Sequence, residues 1–212
     1  MRDFGLNKIF VEGKSDKIFI EAVLFKYFGI DSEQEGFRGL IVNTEGKDKL
    51  KKVDLKNQPD LINTERIQAN AKNLIIFDTD YESKGGGLYK RRKEYQKVSE
   101  EAGADFRIYL LPNDSDEGEL ENLVKTCFKD EFVFFDKCWQ GMIGCFEKQE
   151  GLNLNLPEIK GYNYSYSDLL KAYRSNEIKN EYLDEGLWNL NTDTNKDLKK
   201  LVDFIEQNFF ED

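Results

Sequence analysis

The sequence predicts an α/β fold with a mostly parallel central sheet flanked by helices, followed by a small, mostly helical C-terminal extension. Two observations favour it. Short apolar runs alternate with helix-like segments over the first two-thirds of the chain, as is typical of a parallel sheet with right-handed crossovers. Beyond about residue 128 the alternation stops and the apolar spacing becomes helical or irregular. We therefore expect an α/β domain over residues 1–127 and an extension over 128–212 packed on the same body.

Four apolar runs predict the strands of this sheet. Buried parallel strands appear in a sequence as short, nearly continuous apolar segments. Lys8–Val11 fits this description and is the expected first strand. The second is Leu40–Val42, the third is Leu74–Phe77, and the fourth, Phe106–Leu111, is closed by Pro112.

Helical spacing predicts the elements between and after the strands. Ser15 is the expected N-cap of the first helix and Gly29 its end. Further helices are expected over Leu88–Ala102, from near Gly118, and more weakly over Leu61–Ala71. The last helix carries an apolar stripe made of Leu198, Leu201, Val202, Ile205 and Phe209.

The composition limits the chemistry. The formal net charge is −10, whereas isolated nucleic-acid binders usually present a basic surface. Contact with nucleic acid would therefore need local basic patches, a bound metal or a basic partner. Histidine is absent, which excludes His-based triads, imidazole acid–base catalysis and HExxH zinc sites. Any catalysis must come from carboxylates, lysines, hydroxyls, thiols or a metal ion.

The cysteines and the apolar content predict a cytoplasmic protein that does not bind membranes. The three cysteines include no CxxC pair, so we expect reduced thiols. Cys138 and Cys145 lie seven residues apart and are expected on one buried helix face. No apolar stretch is long enough to span a bilayer, and Met1–Gly5 lacks the apolar core of a signal peptide.

Acidic residues follow the predicted strands. Glu12 comes directly after the first apolar run, and Asp16 lies four residues further on across a turn. Asp78 follows the third run and Asp80 comes two residues later, on the same face if the backbone is extended. The carboxyl ends of parallel strands form the binding crevice of such sheets. Converging carboxylates need a cation or a shared proton, and oxygen ligands favour Mg²⁺ or Mn²⁺. A metal site completed by an acid from residues 114–121 is the hypothesis; solvated acids at loop starts are the alternative.

These motifs resemble a known family, the Toprim domain of topoisomerases, primases and related nucleases. Its signature is a Glu after the first strand and a DxD after a later one, matched here by Val11-Glu12-Gly13-Lys14-Ser15-Asp16 and by Phe77-Asp78-Thr79-Asp80. The EGxSD form resembles the OLD-type nucleases and small bacterial Toprim-like proteins in particular. Leu111-Pro112-Asn113 and Gly118-Glu119-Leu120-Glu121 also resemble the latter group. The resemblance covers roughly residues 6–127.

The resemblance implies a Toprim-like Rossmannoid fold and a role for each matched position. Glu12 would be the general acid/base or a metal ligand, and Asp78 and Asp80 would be catalytic residues that hold Mg²⁺ or Mn²⁺. Asp16 would be a further ligand. Glu121 is the best candidate for the last acidic ligand, with Glu119 and Asp116 as rivals. The implied activity is metal-dependent phosphodiester chemistry on DNA or RNA, with nuclease-type hydrolysis favoured.

Basic residues near the predicted strand ends are candidates for binding the substrate. Lys14 lies between two acids of the first turn and could meet a phosphate. Lys47 and Lys84 each begin a basic patch that could flank the crevice and guide a phosphate backbone. The alternative is that these lysines are solvated charges on helix faces. The patches comprise Lys47, Lys49, Lys51 and Lys52, and Lys84, Lys90, Arg91, Arg92 and Lys93.

Two further features allow a structural or a functional interpretation. Gly85–Gly87 could let backbone N–H groups approach a phosphate, but a flexible loop is favoured because the spacing matches no phosphate-binding motif. The tyrosines between Tyr162 and Tyr173 could stack on bases, but packing of the C-terminal extension is favoured.

Two other functions remain open. The chain lacks a G-x-x-x-x-G-K-[ST] motif, and therefore the ATPase half of the large nucleases. Together with the net charge, this favours a non-catalytic module that contacts another protein in a defence or repair complex. The same metal site would also support phosphoryl transfer on a small nucleotide. The sequence does not indicate an oligomeric state.

Overall fold

A parallel four-stranded sheet forms the centre of the described part of the protein. A computed structural model describes residues 7–34, 37, 39–46, 50, 71–102, 105–174 and 179–210. The strands are β1 (Lys8–Val11), β2 (Ile41–Asn43), β3 (Asn73–Asp78) and β4 (Phe106–Leu111), in the order β2-β1-β3-β4. All three strand pairs are parallel. The predicted α/β class with a mostly parallel sheet is confirmed.

Helices flank this sheet and follow it in the chain. They are α1 (Lys14–Phe28), α2 (Leu88–Ala102), α3 (Leu120–Thr126), α4 (Phe134–Glu147), α5 (Ile159–Leu169) and α6 (Lys196–Ile205). A π-helical turn, Glu206–Phe210, extends α6. Short 3-10 turns occur at Glu82–Lys84, Asp130–Phe132, Lys171–Tyr173 and Glu181–Leu183. The weak helix expected over Leu61–Ala71 falls on a segment that, up to residue 70, lies outside the described residues.

The start of α1 differs from the sequence prediction. The N-cap is Gly13, not Ser15, so the prediction for Ser15 is wrong. The physical reason is that the Asp16 carboxylate accepts a hydrogen bond from the Gly13 N–H at 3.0 Å and so caps the helix from within its first turn. The predicted end is confirmed, because Gly29 adopts φ +65° and closes the helix.

The sheet separates two apolar layers, because neighbouring side chains of a strand point to opposite faces. Ile9, Val11 and Ile76 belong to the larger core, which also contains buried side chains of α1, α3, α5 and α6. Phe10, Phe77 and Leu110 of the strands belong to the smaller core on the opposite face, together with Tyr95 and Val98 of α2. The strands are therefore buried on both faces, as their continuous apolar sequences predicted.

The C-terminal extension packs against the larger core. The predicted stripe of α6 and the turn after it is buried throughout, which confirms it. Its residues belong to the same apolar cluster as those of β1 and α1. The boundary at residue 127 stays a prediction. Among the described residues, no helix is long and apolar enough to cross a membrane.

Helix α4 buries little of its surface, which corrects one prediction. Cys138 and Cys145 are exposed, not buried on a common face. Phe135 is the buried residue of this helix, whereas Phe134 and Phe146 are largely exposed. Seven-residue spacing does place two side chains on one side of a helix, but it does not determine whether that side meets the core.

Candidate functional site

The strand order fixes where a ligand would bind. The chain passes from β1 to β2 on one side of β1 and then to β3 on the other side. In open α/β sheets, ligands bind at the carboxyl ends of the strands where the order reverses in this way. Val11 of β1 is paired with Ile76 of β3. Glu12, just after β1, and Asp78, the last residue of β3, therefore lie at the same edge, at the switch point.

A cavity of about 380 Å³ opens at this edge. Four of the five predicted metal ligands line it, and so does Lys14. Its charged and polar lining residues are Glu12, Lys14, Ser15, Asp16, Asn43, Glu45, Asp78, Glu121 and Lys160. The structure thus brings together acids from the residue after β1 and from α1, β3 and α3, which are separated by up to about a hundred residues of sequence. We call this cavity, with the residues that line it, the carboxylate cavity.

Hydrogen bonds from backbone N–H groups hold two of these carboxylates. Asp78 Oδ1 accepts a hydrogen bond at 2.8 Å from the backbone N–H of Leu120, and so connects the end of β3 to the start of α3. Asp16 Oδ2 accepts from Gly13, while its Oδ1 is buried and has no hydrogen-bond partner in the described part of the chain. Glu121, in the first turn of α3, lies with Oε1 3.7 Å from Nζ of Lys160.

The electrostatics of the cavity oppose the ionised state of its acids. Burial raises the pKa of Asp78 well above its ordinary value, and the charges of Asp16, Glu12 and Glu121 raise it further, against the lowering effect of the Leu120 N–H. Burial also raises the pKa of Asp16 and of Glu121, although Lys160 lowers both. The ionised carboxylates repel one another where little water can solvate them, and a bound cation would relieve that repulsion.

These shifts predict a pH dependence of stability. A carboxyl group whose pKa is higher in the folded than in the unfolded protein binds more protons when folded, so the free energy of unfolding falls as pH rises through the folded pKa. Metal-free protein in EDTA should therefore melt several degrees lower at pH 8 than at pH 5. Differential scanning fluorimetry across this range checks it. A melting temperature that rises with pH, or an Asp78→Asn variant with an unchanged slope, would contradict the assignment.

The donor set suits a hard divalent cation in chemistry and charge. Carboxylate oxygens are the ligands that Mg²⁺ and Mn²⁺ prefer, and the buried Oδ1 of Asp16 lacks a partner among the described residues. The present side-chain spacing is not that of a finished site: in the described segments, no three Asp, Glu or Cys side chains are arranged so that they could hold a metal ion.

Asp80 does not line the carboxylate cavity, which corrects the expectation that it shares a face with Asp78. The backbone leaves the extended conformation at Asp80, where φ is +54°. Its carboxylate instead accepts hydrogen bonds from Arg91, at 3.1 Å from Nε and 2.6 Å from Nη2. Thr79, between the two acids, is fully buried and donates to the Leu111 carbonyl at 2.6 Å. Two-residue spacing places side chains together only while a strand continues.

The loop Gly85–Gly87 packs against the backbone of Thr79 and Asp80. A Cβ at Gly86 would overlap the Cβ of Asp80 and lie 2.8 Å from the Thr79 carbonyl oxygen, so the close approach requires glycine here. The Gly87 N–H donates to the same carbonyl at 3.1 Å. Gly85–Gly87 thus folds back onto the end of β3.

The predicted basic patches are only partly available to a substrate. Lys47 and the rest of the first patch lie outside the described residues. In the second patch, Lys84 pairs with Glu158 at 2.9 Å and Arg92 with Asp114 at 2.6 Å. Lys90 donates to the Gly85 carbonyl at 2.6 Å. Carboxylates and a carbonyl of the protein itself occupy these cations, so a phosphate would have to displace them.

Lys160 is one of the site residues that the sequence did not indicate. It comes from α5, beyond the region of alternating strands and helices. Partial burial lowers its pKa, but Glu121, Glu119, Asp78 and Asp16 outweigh this and raise it, so it stays protonated. Asn43 and Glu45, after β2, also line the cavity and were not predicted. The position of Asn43 and Glu45 at the end of a predicted strand could have indicated them, whereas nothing in the sequence connects Lys160 with the site.

Comparison with known proteins gives one family. The family model described as "Protein of unknown function (DUF3226)" matches residues 6–163, more than half of the chain. The matched segment extends from the residues before β1 into α5 and contains every acid of the carboxylate cavity as well as Lys160. No curated protein and no solved structure matches the chain.

Proposed function

The chain belongs to this family of unknown function, and from its site we propose that it uses Mg²⁺ or Mn²⁺ for phosphodiester chemistry on nucleic acid, with hydrolysis of the nuclease type as the reaction. One observation carries this proposal. Glu12, Asp16, Asp78 and Glu121 line a single cavity at the topological switch point of a parallel sheet. Ligands of open α/β sheets bind at that place, and grouped carboxylates require a counter-charge.

The Toprim resemblance supports the same function. The Glu of its signature matches Glu12, and the first Asp of its DxD matches Asp78. These two of the three acidic signature positions line the cavity. The second Asp, Asp80, lies outside it. We propose that Asp16, Asp78 and Glu121 hold the metal, that Glu12 exchanges the proton or shares the metal, and that Asp80 positions the end of β3 through Arg91.

The metal, when bound, would neutralise phosphate oxygens and position the attacking water. The protein's own residues supply the rest. Lys14 and Lys160 are exposed cations at the rim of an otherwise acidic cavity, and they would orient the phosphate. A local pair of cations of this kind is compatible with a net charge of −10, because phosphate contacts depend on nearby charge.

Incubation with labelled DNA and RNA, single- and double-stranded, tests the function. We expect cleavage in Mg²⁺ or Mn²⁺ and none in EDTA. Glu12→Gln should reduce the rate by about 100-fold, since general acid–base groups contribute roughly 10²–10⁴-fold. Glu147→Gln, an exposed acid on α4, is the matched control and should cleave normally. Equal rates for wild type and Glu12→Gln would show that the activity arises elsewhere.

A non-catalytic binding module is the second candidate. The lack of a preformed three-acid arrangement among the described residues favours it, as does the acidic net charge. Calorimetric titration with Mn²⁺ separates the two, because a module without a metal site would show no binding at millimolar concentrations. Phosphoryl transfer on a small nucleotide would share the metal site and is distinguished by substrate. We also propose a cytoplasmic location, which the free cysteines support.

A further inference from the structure

A second cavity adjoins the carboxylate cavity. Its volume is about 310 Å³, within the usual range of roughly 300–1,000 Å³ for ligand sites. Ser15, Glu121 and Lys160 line both cavities. A ligand that placed a phosphate beside Lys160 could therefore extend into the second cavity without leaving the surface. The further lining residues are Val124, Asn163, Tyr164, Ser167, Glu181, Tyr182 and Trp188.

Two buried polar atoms of this lining lack partners. Asn163 is 9% exposed; its Nδ2 donates to the Glu121 carbonyl at 2.9 Å, whereas its Oδ1 has no hydrogen-bond partner among the described residues. Trp188 is 5% exposed, and within the same described ranges its Nε1–H has no acceptor. Leaving such atoms unpaired is costly, and native proteins rarely do so without a reason. One atom accepts and the other donates.

Aromatic side chains border the same cavity. Tyr164 is 74% exposed, although its neighbours Tyr162 and Tyr166 are buried in the core. Tyr182 and Trp188 lie with their ring centroids 5.4 Å apart. The residues that line the cavity thus include a solvent-exposed ring, and two of them carry an acceptor and a donor that solvent does not reach. Flat, neutral heterocycles are bound in this way, by stacking on their faces and hydrogen bonds along their edges.

We propose that this second cavity binds a nucleobase of the substrate, adjacent to the phosphate held at the carboxylate cavity. Every nucleobase presents an N–H group near an acceptor atom on one edge. Tyr164 stacks on the face of the base. Solvent does not reach Asn163 Oδ1 or Trp188 Nε1–H in the free protein, so these atoms accept from the N–H group and donate to the acceptor once the base displaces the side chains that cover them. Glu121 and Glu181 would repel an anion from the interior, so the phosphate stays beside Lys160. This inference rests on the proposed function, since it names the substrate class of that site.

Calorimetric titration in Ca²⁺ tests the proposal, with the common nucleoside 5′-monophosphates and with deoxyribose 5-phosphate as the probe that lacks a base. At least one nucleotide should bind about tenfold more tightly than the sugar phosphate, as expected for one stacked base. Tyr164→Ala should remove most of this difference and leave the affinity for the sugar phosphate unchanged. Tyr89→Ala is the matched control, because Tyr89 is 80% exposed on α2 and does not line the cavity. Asn163→Leu should weaken nucleotide binding in the same selective way.

The results separate this proposal from the function on which it rests. Base-dependent binding that persists in EDTA, without any metal-dependent cleavage, would support the nucleobase site and reject the nuclease function. Metal-dependent cleavage together with equal affinities for nucleotides and deoxyribose 5-phosphate would keep the function and overturn the nucleobase site. Tighter binding of a cationic probe such as agmatine than of any nucleotide would also overturn it. Since Tyr164 is exposed, its variant should fold even if the Asn163 variant does not.

Discussion

Asp78→Asn is expected to abolish metal-dependent cleavage, with a rate at least roughly 100-fold below wild type, because a catalytic metal supplies several kcal/mol of transition-state stabilisation. Asp78 is a buried acid of the carboxylate cavity, and the charges of three other acids act on it. The amide keeps an oxygen that can accept the Leu120 N–H, so the connection between β3 and α3 is preserved. The variant should therefore fold and still fail to bind the metal.

Asp80→Asn is the informative partner of this variant. Since Asp80 faces Arg91 and not the cavity, its amide should retain Mn²⁺ affinity within a few-fold of wild type while lowering stability. Calorimetry for metal binding and gel-based cleavage assays on both variants check the two expectations. If Asp80→Asn lost Mn²⁺ binding and Asp78→Asn retained it, the assignment of the two acids would be reversed.

Arg91→Met is expected to lower the free energy of unfolding by about 3 kcal/mol, because removing one partner of a buried ion pair leaves the other charge uncompensated. The Arg91 side chain is 5% exposed and pairs with Asp80 at 2.6 Å and with Glu94 at 2.8 Å. Urea denaturation monitored by circular dichroism measures the loss. The double variant Arg91→Met/Asp80→Asn should recover part of it, because the stranded charge is also gone.

Arg92→Met is the matched control for Arg91. Its neighbouring pair with Asp114 is partly exposed, although the distance, 2.6 Å, is equally short. Solvent screens such a pair, so its loss should cost less than about 1 kcal/mol. Equal destabilisation by the two substitutions would contradict the expectation that burial makes the Arg91 pair stronger than the Arg92 pair.

The sheet and the main acids were predictable because strand burial leaves a direct pattern in the sequence. Apolar runs such as Lys8–Val11 mark strands buried on both faces, and the acid after each run must then lie at the carboxyl end of the sheet. This reasoning predicts that Glu12 and Asp78 lie at one edge, as the structure shows. Asp16 and Glu121 followed from the resemblance and from their positions at the starts of helices.

The remaining features depend on local backbone and tertiary contacts that spacing does not encode. The Asp80 side chain turns away from the carboxylate cavity because its backbone φ is positive and because Arg91, eleven residues later in the chain, binds its carboxylate. Lys160 reaches the site through the packing of α5 against α3, which no periodicity reveals. Cys138 and Cys145 share an exposed face of α4 because the helix meets the core mainly through Phe135.

Diffraction from a crystal soaked in Mn²⁺, with data collected at the manganese absorption edge, tests the central claim most directly. An anomalous peak within the carboxylate cavity, with oxygens of Asp78 and Asp16 or Glu121 at roughly 2.0–2.2 Å, is the predicted result. The absence of a peak in the cavity at millimolar Mn²⁺ would contradict the claim. An anomalous peak only at another place, with Lys160 still beside Glu121, would also contradict it.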